Sequence, residues 1–126
     1  MVLLDAVEWF NAKEIVCGAT SHRRTDNPLR RDGLLPIYAA MEYAAQAMAI
    51  HAALTTGGVA RAGVLGSVRG FRAHIHRLDE IEEPLQVYAS LRQAEPTSAV
   101  YTFSIRAGDE EIASGQAAVF YAKEPG

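Results

Sequence analysis

Apolar and polar positions divide the chain into strands at both ends and one helix between them. Residues 2–10 (VLLDAVEWF) are apolar and partly alternating, which predicts a strand. Asn11-Ala12-Lys13 is a tight connection to a second apolar run, Glu14 to Ser21, so the two read as a hairpin. Residues 22–33 (HRRTDNPLRRDG) are polar and carry the turn pairs Asn27-Pro28 and Asp32-Gly33. They predict a long loop of the kind that often serves function. From Pro36 to Leu54 Ala, Met, Ile and Leu cover nearly every position, and Thr55-Thr56-Gly57-Gly58 follows. This predicts a helix about 28 Å long with Pro36 in its first turn. Being apolar on almost every side, it is expected to be covered on almost every side.

The remainder reads as four strands. Gly63 to His76 is interrupted by Gly66 and Gly70, expected bend or bulge points. Leu85, Val87, Ala89 and Leu91 alternate with Gln86, Tyr88, Ser90 and Arg92, as in a half-buried strand. Tyr101, Phe103 and Ile105 repeat that pattern, Gly108-Asp109 turns the chain, and Glu111 to Tyr121 forms the last strand. Strand, strand, loop, helix and four strands make an α+β domain over residues 1–126. A single curled antiparallel sheet wrapping the central helix satisfies the pattern. Its open edge and the helix's uncovered side call for a partner, so a dimer is expected.

Composition narrows the chemistry. The 126 residues suffice for one core, 49% are hydrophobic, and the net charge is -3. That balance gives no case for nucleic-acid or membrane binding. One cysteine, Cys17, excludes an internal disulfide and a thiolate zinc cluster, and fits a reducing, cytoplasmic compartment. Asp5 and Glu8 interrupt the first apolar stretch, against a signal peptide. No run reaches the roughly 20 apolar residues of a membrane helix.

Glu42 is the anomaly in the apolar helix, with Gln46 one turn later on the same face. A carboxyl held out of water pairs or keeps its proton, and a proton kept near neutral pH is what a general acid needs. The other reading is a carboxylate that stabilises a dimer seam, hydrogen-bonded to Gln46 or to loop amides. At the helix start, the N–H groups of Ile37 and Tyr38 are expected to be unpaired and to carry the positive end of the helix dipole, where a carbonyl would be polarised.

Leu35-Pro36-x5-Glu42-x3-Gln46 resembles the "M-P-G-x4-E-x-M-A-Q" helix of the hotdog-fold 3-hydroxyacyl-carrier-protein dehydratases. The likeness spans essentially the whole chain. It extends from Asn27-Pro28-Leu29-Arg30 through Gly33, Glu42-Tyr43-Ala44-Ala45-Gln46 and Leu65-Gly66-Ser67-Val68-Arg69, and is nearest to the divergent branch associated with polyene and polyketide synthesis. The resemblance implies a hotdog fold, one long helix wrapped by five or six strands. It also implies a dehydratase acting on 3-hydroxyacyl thioesters bound to an acyl carrier protein or coenzyme A, with Glu42 as catalytic acid. The substrate arrives on phosphopantetheine, and no cofactor or metal is implied.

Two departures stand out. The family takes the C2 proton with a histidine in an H-F-P-G segment about fourteen positions before the acid; here that position is Pro28, and no such segment exists. His22, at the end of the second strand, is the nearest candidate base, although a strand-end histidine is more commonly a surface residue. His51 lies about 13 Å beyond Glu42 along the axis. His74 and His76 share one face of a strand, with no evident third ligand for a metal. The second departure is Ile37, which replaces the family's glycine and narrows the site.

Arg23, Arg24, Arg30 and Arg31 fall within nine residues of the loop, offset nearby by Asp26 and Asp32. They are either a solvated charged loop or a dock for an acidic carrier and its phosphate, with Arg69 and Arg72 as further candidates. The expected function is a dehydratase of 3-hydroxyacyl thioesters, as a homodimer or heteromer; the alternatives are a non-catalytic or partner subunit of a heteromeric dehydratase, and a hotdog thioesterase using Glu42 without a histidine.

Overall fold

The computed structural model describes residues 2–55 and 63–121. Strands β1 (Ala6–Phe10) and β2 (Glu14–Ala19) are followed by a 3-10 turn (Ser21–Arg23) and helix α1 (Ala39–Thr55). Then come β3 (Gly63–Ala73), β4 (Leu85–Glu95), β5 (Ser98–Ala107) and β6 (Glu110–Tyr121). All strand pairs are antiparallel, in one six-stranded sheet of order β1-β2-β4-β5-β6-β3. This is the hotdog architecture expected from the sequence.

Local chemistry sets the turns. Asn11 Oδ1 accepts the N–H groups of Lys13 and Glu14 at 2.9 and 2.8 Å and closes the first hairpin. Asp32 and Gly33 both have positive φ, 52° and 80°, and make a two-residue turn flanked by reciprocal bonds between Arg31 and Leu34.

Period-two burial fills the inner face. Ile15 and Cys17 of β2, Leu85, Val87 and Ala89 of β4, and Tyr101, Phe103 and Ile105 of β5 are buried. Against them α1 buries Ala39, Ala40, Tyr43, Ala44, Ala47, Met48 and His51, a single helical stripe. The helix rests on β2, β4 and β5, away from the β3 edge. Its other face holds Glu42 and Ala49, both exposed, with exposed Tyr38 just before the helix. The sequence predicts a helix covered on almost every side, with one side left for a partner; alanines give the exposed face an apolar sequence, but this chain's own sheet does not cover it.

Several boundaries differ from expectation. β1 starts at Ala6, β2 ends at Ala19, and β3 ends at Ala73 rather than His76. The helix starts three residues after Pro36, for a reason given below. Thr56, Gly57 and Gly58, expected to follow the helix, lie outside the described residues. Among the described residues no helix is long and apolar enough to cross a membrane.

Candidate active site

The segment before α1 is zipped to the segment after β3. Leu35 N–H donates to Asp79 Oδ1 at 2.8 Å, Leu78 N–H to the Leu35 carbonyl at 2.8 Å, and Ile37 N–H to the His76 carbonyl at 3.0 Å. Pro36 and Arg77 form the bridge between them. This ladder keeps Pro36 and Ile37 out of the helix. α1 is entered through tight bonds from Ala39 N–H to the Pro36 carbonyl (3.0 Å) and from Ala40 N–H to the Ile37 carbonyl (2.9 Å). Asp79 also receives the Arg77 guanidinium, whose hydrogen bonds, with the Leu35 N–H, hold the carboxyl well below the usual carboxylate range.

The expectation of a free Ile37 N–H is therefore corrected. That amide is spent on a backbone carbonyl, and the Ile37 side chain is buried. Tyr38 N–H keeps no acceptor among the described residues, and its side chain is 67% exposed.

Glu42 stands one turn beyond Tyr38 on the uncovered face of α1 and is exposed. The expected enclosure is absent within a single chain, because the sheet reaches α1 only from the opposite side. Gln46, one turn further, is half-buried and accepts the Leu3 N–H at 2.8 Å, so it ties the N-terminal segment to the helix.

His22 is fully buried rather than on the surface, because the 3-10 turn Ser21–Arg23 swings it inward. Its Nε2 lies 3.0 Å from the Ile81 carbonyl, which can only accept, so Nε2 carries the proton. Nδ1 is buried without a partner. Burial lowers the pKa of the ring, partly offset by the Ile81 carbonyl. A ring enclosed in this way presents no surface to a substrate in the isolated chain.

Beside it, Tyr43 of α1 joins Ser21 Oγ at 2.6 Å and accepts from Asn27 Nδ2 at 3.2 Å. Ser21 Oγ donates to the Leu3 carbonyl at 2.7 Å, and Asn27 Oδ1 accepts the Leu29 N–H at 2.9 Å. The loop is thus pinned to the helix through a satisfied buried network.

His51 is buried as well. Its Nε2 donates to the Asn11 carbonyl at 2.9 Å and its Nδ1 accepts from Tyr101 Oη at 2.7 Å. Sequence reasoning missed this pair, since only the fold brings β5 to the helix. His74 and His76 line a groove of about 510 Å³ with Arg77, Glu80 and Ile81, beside the helix start. Among the described residues no three His, Cys, Asp or Glu side chains converge as a metal site would require.

The arginine cluster is partly consumed internally. Arg24 clasps Asp26 through two hydrogen bonds at 2.9 and 2.8 Å. Arg30 donates to the carbonyls of Arg24 (2.8 Å) and Gly33 (2.7 Å), fastening the loop from within. Arg31 Nη1 donates to the carbonyls of Pro28 and Arg30. Arg23 is exposed and without a partner among the described residues.

The structure thus gathers Ile37, Tyr38, Glu42 and Gln46 along the start of α1. It holds His22 apart in the core under the loop.

Among solved structures, the dehydratase heterocomplex ApeI:P from Xenorhabdus doucetiae superposes with a TM-score of 0.84 at 19% identity, covering 98% of this chain and 84% of that one. AziG of S. sahachiroi matches with a TM-score of 0.66 at 15% identity over 94% of this chain and 91% of that one. The thioesterase HI1161 of Haemophilus influenzae matches with 0.66 at 12% identity over 93% and 77%. At these identities the likenesses establish the hotdog fold. No curated protein matches the chain. The family model described as ApeP dehydratase matches residues 1–125, so the chain belongs to the ApeP-like dehydratase family.

Proposed function

We propose that the chain is one subunit of a heteromeric dehydratase for 3-hydroxyacyl thioesters in polyene or polyketide synthesis. It presents the Glu42 carboxyl to a site whose histidine comes from a second hotdog subunit. The observation that carries this reading is the position of Glu42: exposed on the uncovered face of α1, a helix whose one histidine, His51, is buried. The occupied Ile37 amide and the buried His22 argue in the same direction. ApeI:P of Xenorhabdus doucetiae, a dehydratase heterocomplex, gives the assembly a precedent.

The chemistry is an elimination. The partner's base takes the C2 proton, the C2–C3 double bond forms, and the C3–O bond breaks as Glu42 protonates the departing hydroxyl, releasing water. Covering the helix face would remove Glu42 from water, as a general acid requires. The acyl group would arrive on the phosphopantetheine of an acyl carrier protein or coenzyme A. Arg23, the least committed arginine of the loop, would be available to its phosphate or to an acidic carrier surface.

The test is to incubate a 3-hydroxyacyl-carrier substrate with the chain alone, and with a histidine-bearing hotdog partner encoded beside it. Enoyl product and free thiol are followed. Enoyl formation only in the mixture is the expected result. Enoyl product from the chain alone would replace the proposal with a self-sufficient homodimer, and thiol release with a thioesterase.

A further inference from the structure

The two edges of the sheet differ in charge: β1 carries Glu8 and no cation, whereas β3 carries Arg69 and Arg72 and no carboxylate. β3 is an eleven-residue edge strand with no residue fully buried and one side of its backbone unpaired. Leu65, Val68 and Phe71 lean toward the core, and Phe71 meets Phe103 with ring centroids 6.4 Å apart. Arg69 and Arg72 are exposed, and Gly63 to Ala73 contains no carboxylate. Neither arginine has an ion-pair partner among the described residues. Opposite Arg69 and Arg72 on β6 stand Gln116 and Ser114, both uncharged.

A strand of this kind invites another edge. Two copies of this chain pairing β3 to β3 along its full length would be centred on Val68. Arg69 would then face Ser67 of the other copy, and the two Arg69 side chains would be diagonal neighbours on one face, roughly 7–8 Å apart at Cα. The Arg72 pair would add like charge at both ends. Repulsion at that range is barely screened in dilute salt, where the Debye length is about 30 Å at 0.01 M.

We infer that Arg69 and Arg72 are specificity residues: they disfavour β3 self-pairing and select a partner subunit whose edge strand carries carboxylates opposite them. This rests on the reading of the chain as a subunit of a heteromer and names what makes that heteromer preferred. Charged residues on an exposed edge are a known guard against edge-to-edge association. Here the guard has one sign only, so it excludes an identical strand and admits an acidic one.

The experiment is sedimentation velocity at low and high salt on the wild-type chain, on R69E/R72E, and on their equimolar mixture. Because both side chains are exposed, the variant is expected to keep the wild-type melting profile. In low salt the mixture should form a one-to-one dimer about tenfold tighter than either chain with itself. Added salt should weaken the mixed dimer and strengthen wild-type self-association. R69Q/R72Q, which removes the charge without reversing it, should self-associate more tightly than wild type in low salt. It also supplies the answer if the double glutamate variant does not fold. A wild-type homodimer insensitive to salt, or a mixture no tighter than the wild type alone, overturns the inference. Because the readout is mass and not turnover, a chain that dehydrates by itself would sink the proposed function without altering this result.

Discussion

The Ile37 amide points at the carbonyl of His76, 3.0 Å away, and not into open space. A helix-start amide that would polarise a thioester carbonyl is thereby committed to holding two segments of the chain together. Ile37→Ala should cost about 2–4 kcal/mol by emptying a buried site. It should not give the isolated chain dehydratase activity, because the backbone bond remains. Urea denaturation together with an enoyl assay checks both halves.

Glu42→Gln separates chemistry from folding. The side chain is exposed in the single chain, so stability should change by no more than about 0.5 kcal/mol. In the mixture with a histidine-bearing partner, enoyl formation should fall by roughly 10²–10⁴-fold. Size-exclusion of the assembled complex, run beside the kinetics, shows whether assembly survives. Undiminished turnover would remove Glu42 from the role of acid.

His22 makes folding depend on pH. Its folded pKa is lowered by burial, so between that value and the unfolded value of about 6.5 the unfolded chain binds the extra proton. The contribution is fully present above about 6.5 and is lost as pH falls through the folded pKa. Stability should decline with acidification in that window by up to about 1.4 kcal/mol per pH unit. His22→Gln should flatten this part of the curve, measured by urea titrations from pH 8 to 5.

Tyr101→Phe removes the donor to His51 Nδ1 in a fully buried place. The loss should be about 1–3 kcal/mol, since the ring nitrogen is left without water or partner. Adding His51→Leu removes the orphaned Nδ1 but takes the donor from the Asn11 carbonyl, so the double variant should be no more stable than Tyr101→Phe alone. Thermal melts of the two variants compare them directly.

The strands and the helix are legible in the sequence because their signal is local. Alternation in β4 and β5, the Asn11 turn and the Asp32-Gly33 turn each act within a few residues. The helix start is not, since what stops the helix at Ala39 is a ladder to residues some forty positions away. The same reason explains His22: its place at a strand end predicts a surface, and the distant backbone at Ile81 makes an interior position tolerable. Glu42 is conspicuous by contrast with its neighbours. The pattern overstates its enclosure, because alanine counts as apolar yet loses little when left in water. The Pro36, Glu42 and Gln46 spacing carries the resemblance to a dehydratase family, and the family model over residues 1–125 shows the membership, whereas the committed Ile37 amide lies beyond any motif.

Anchored by Tyr43, Asn27 and the Arg30 guanidinium, the segment from Thr20 to Gly33 is a wall and not a door. Admission to Glu42 would then run along the seam where two subunits meet. A substrate would find its reaction chamber only after the chamber had been assembled, so the abundance of the second subunit would act as the throttle on flux.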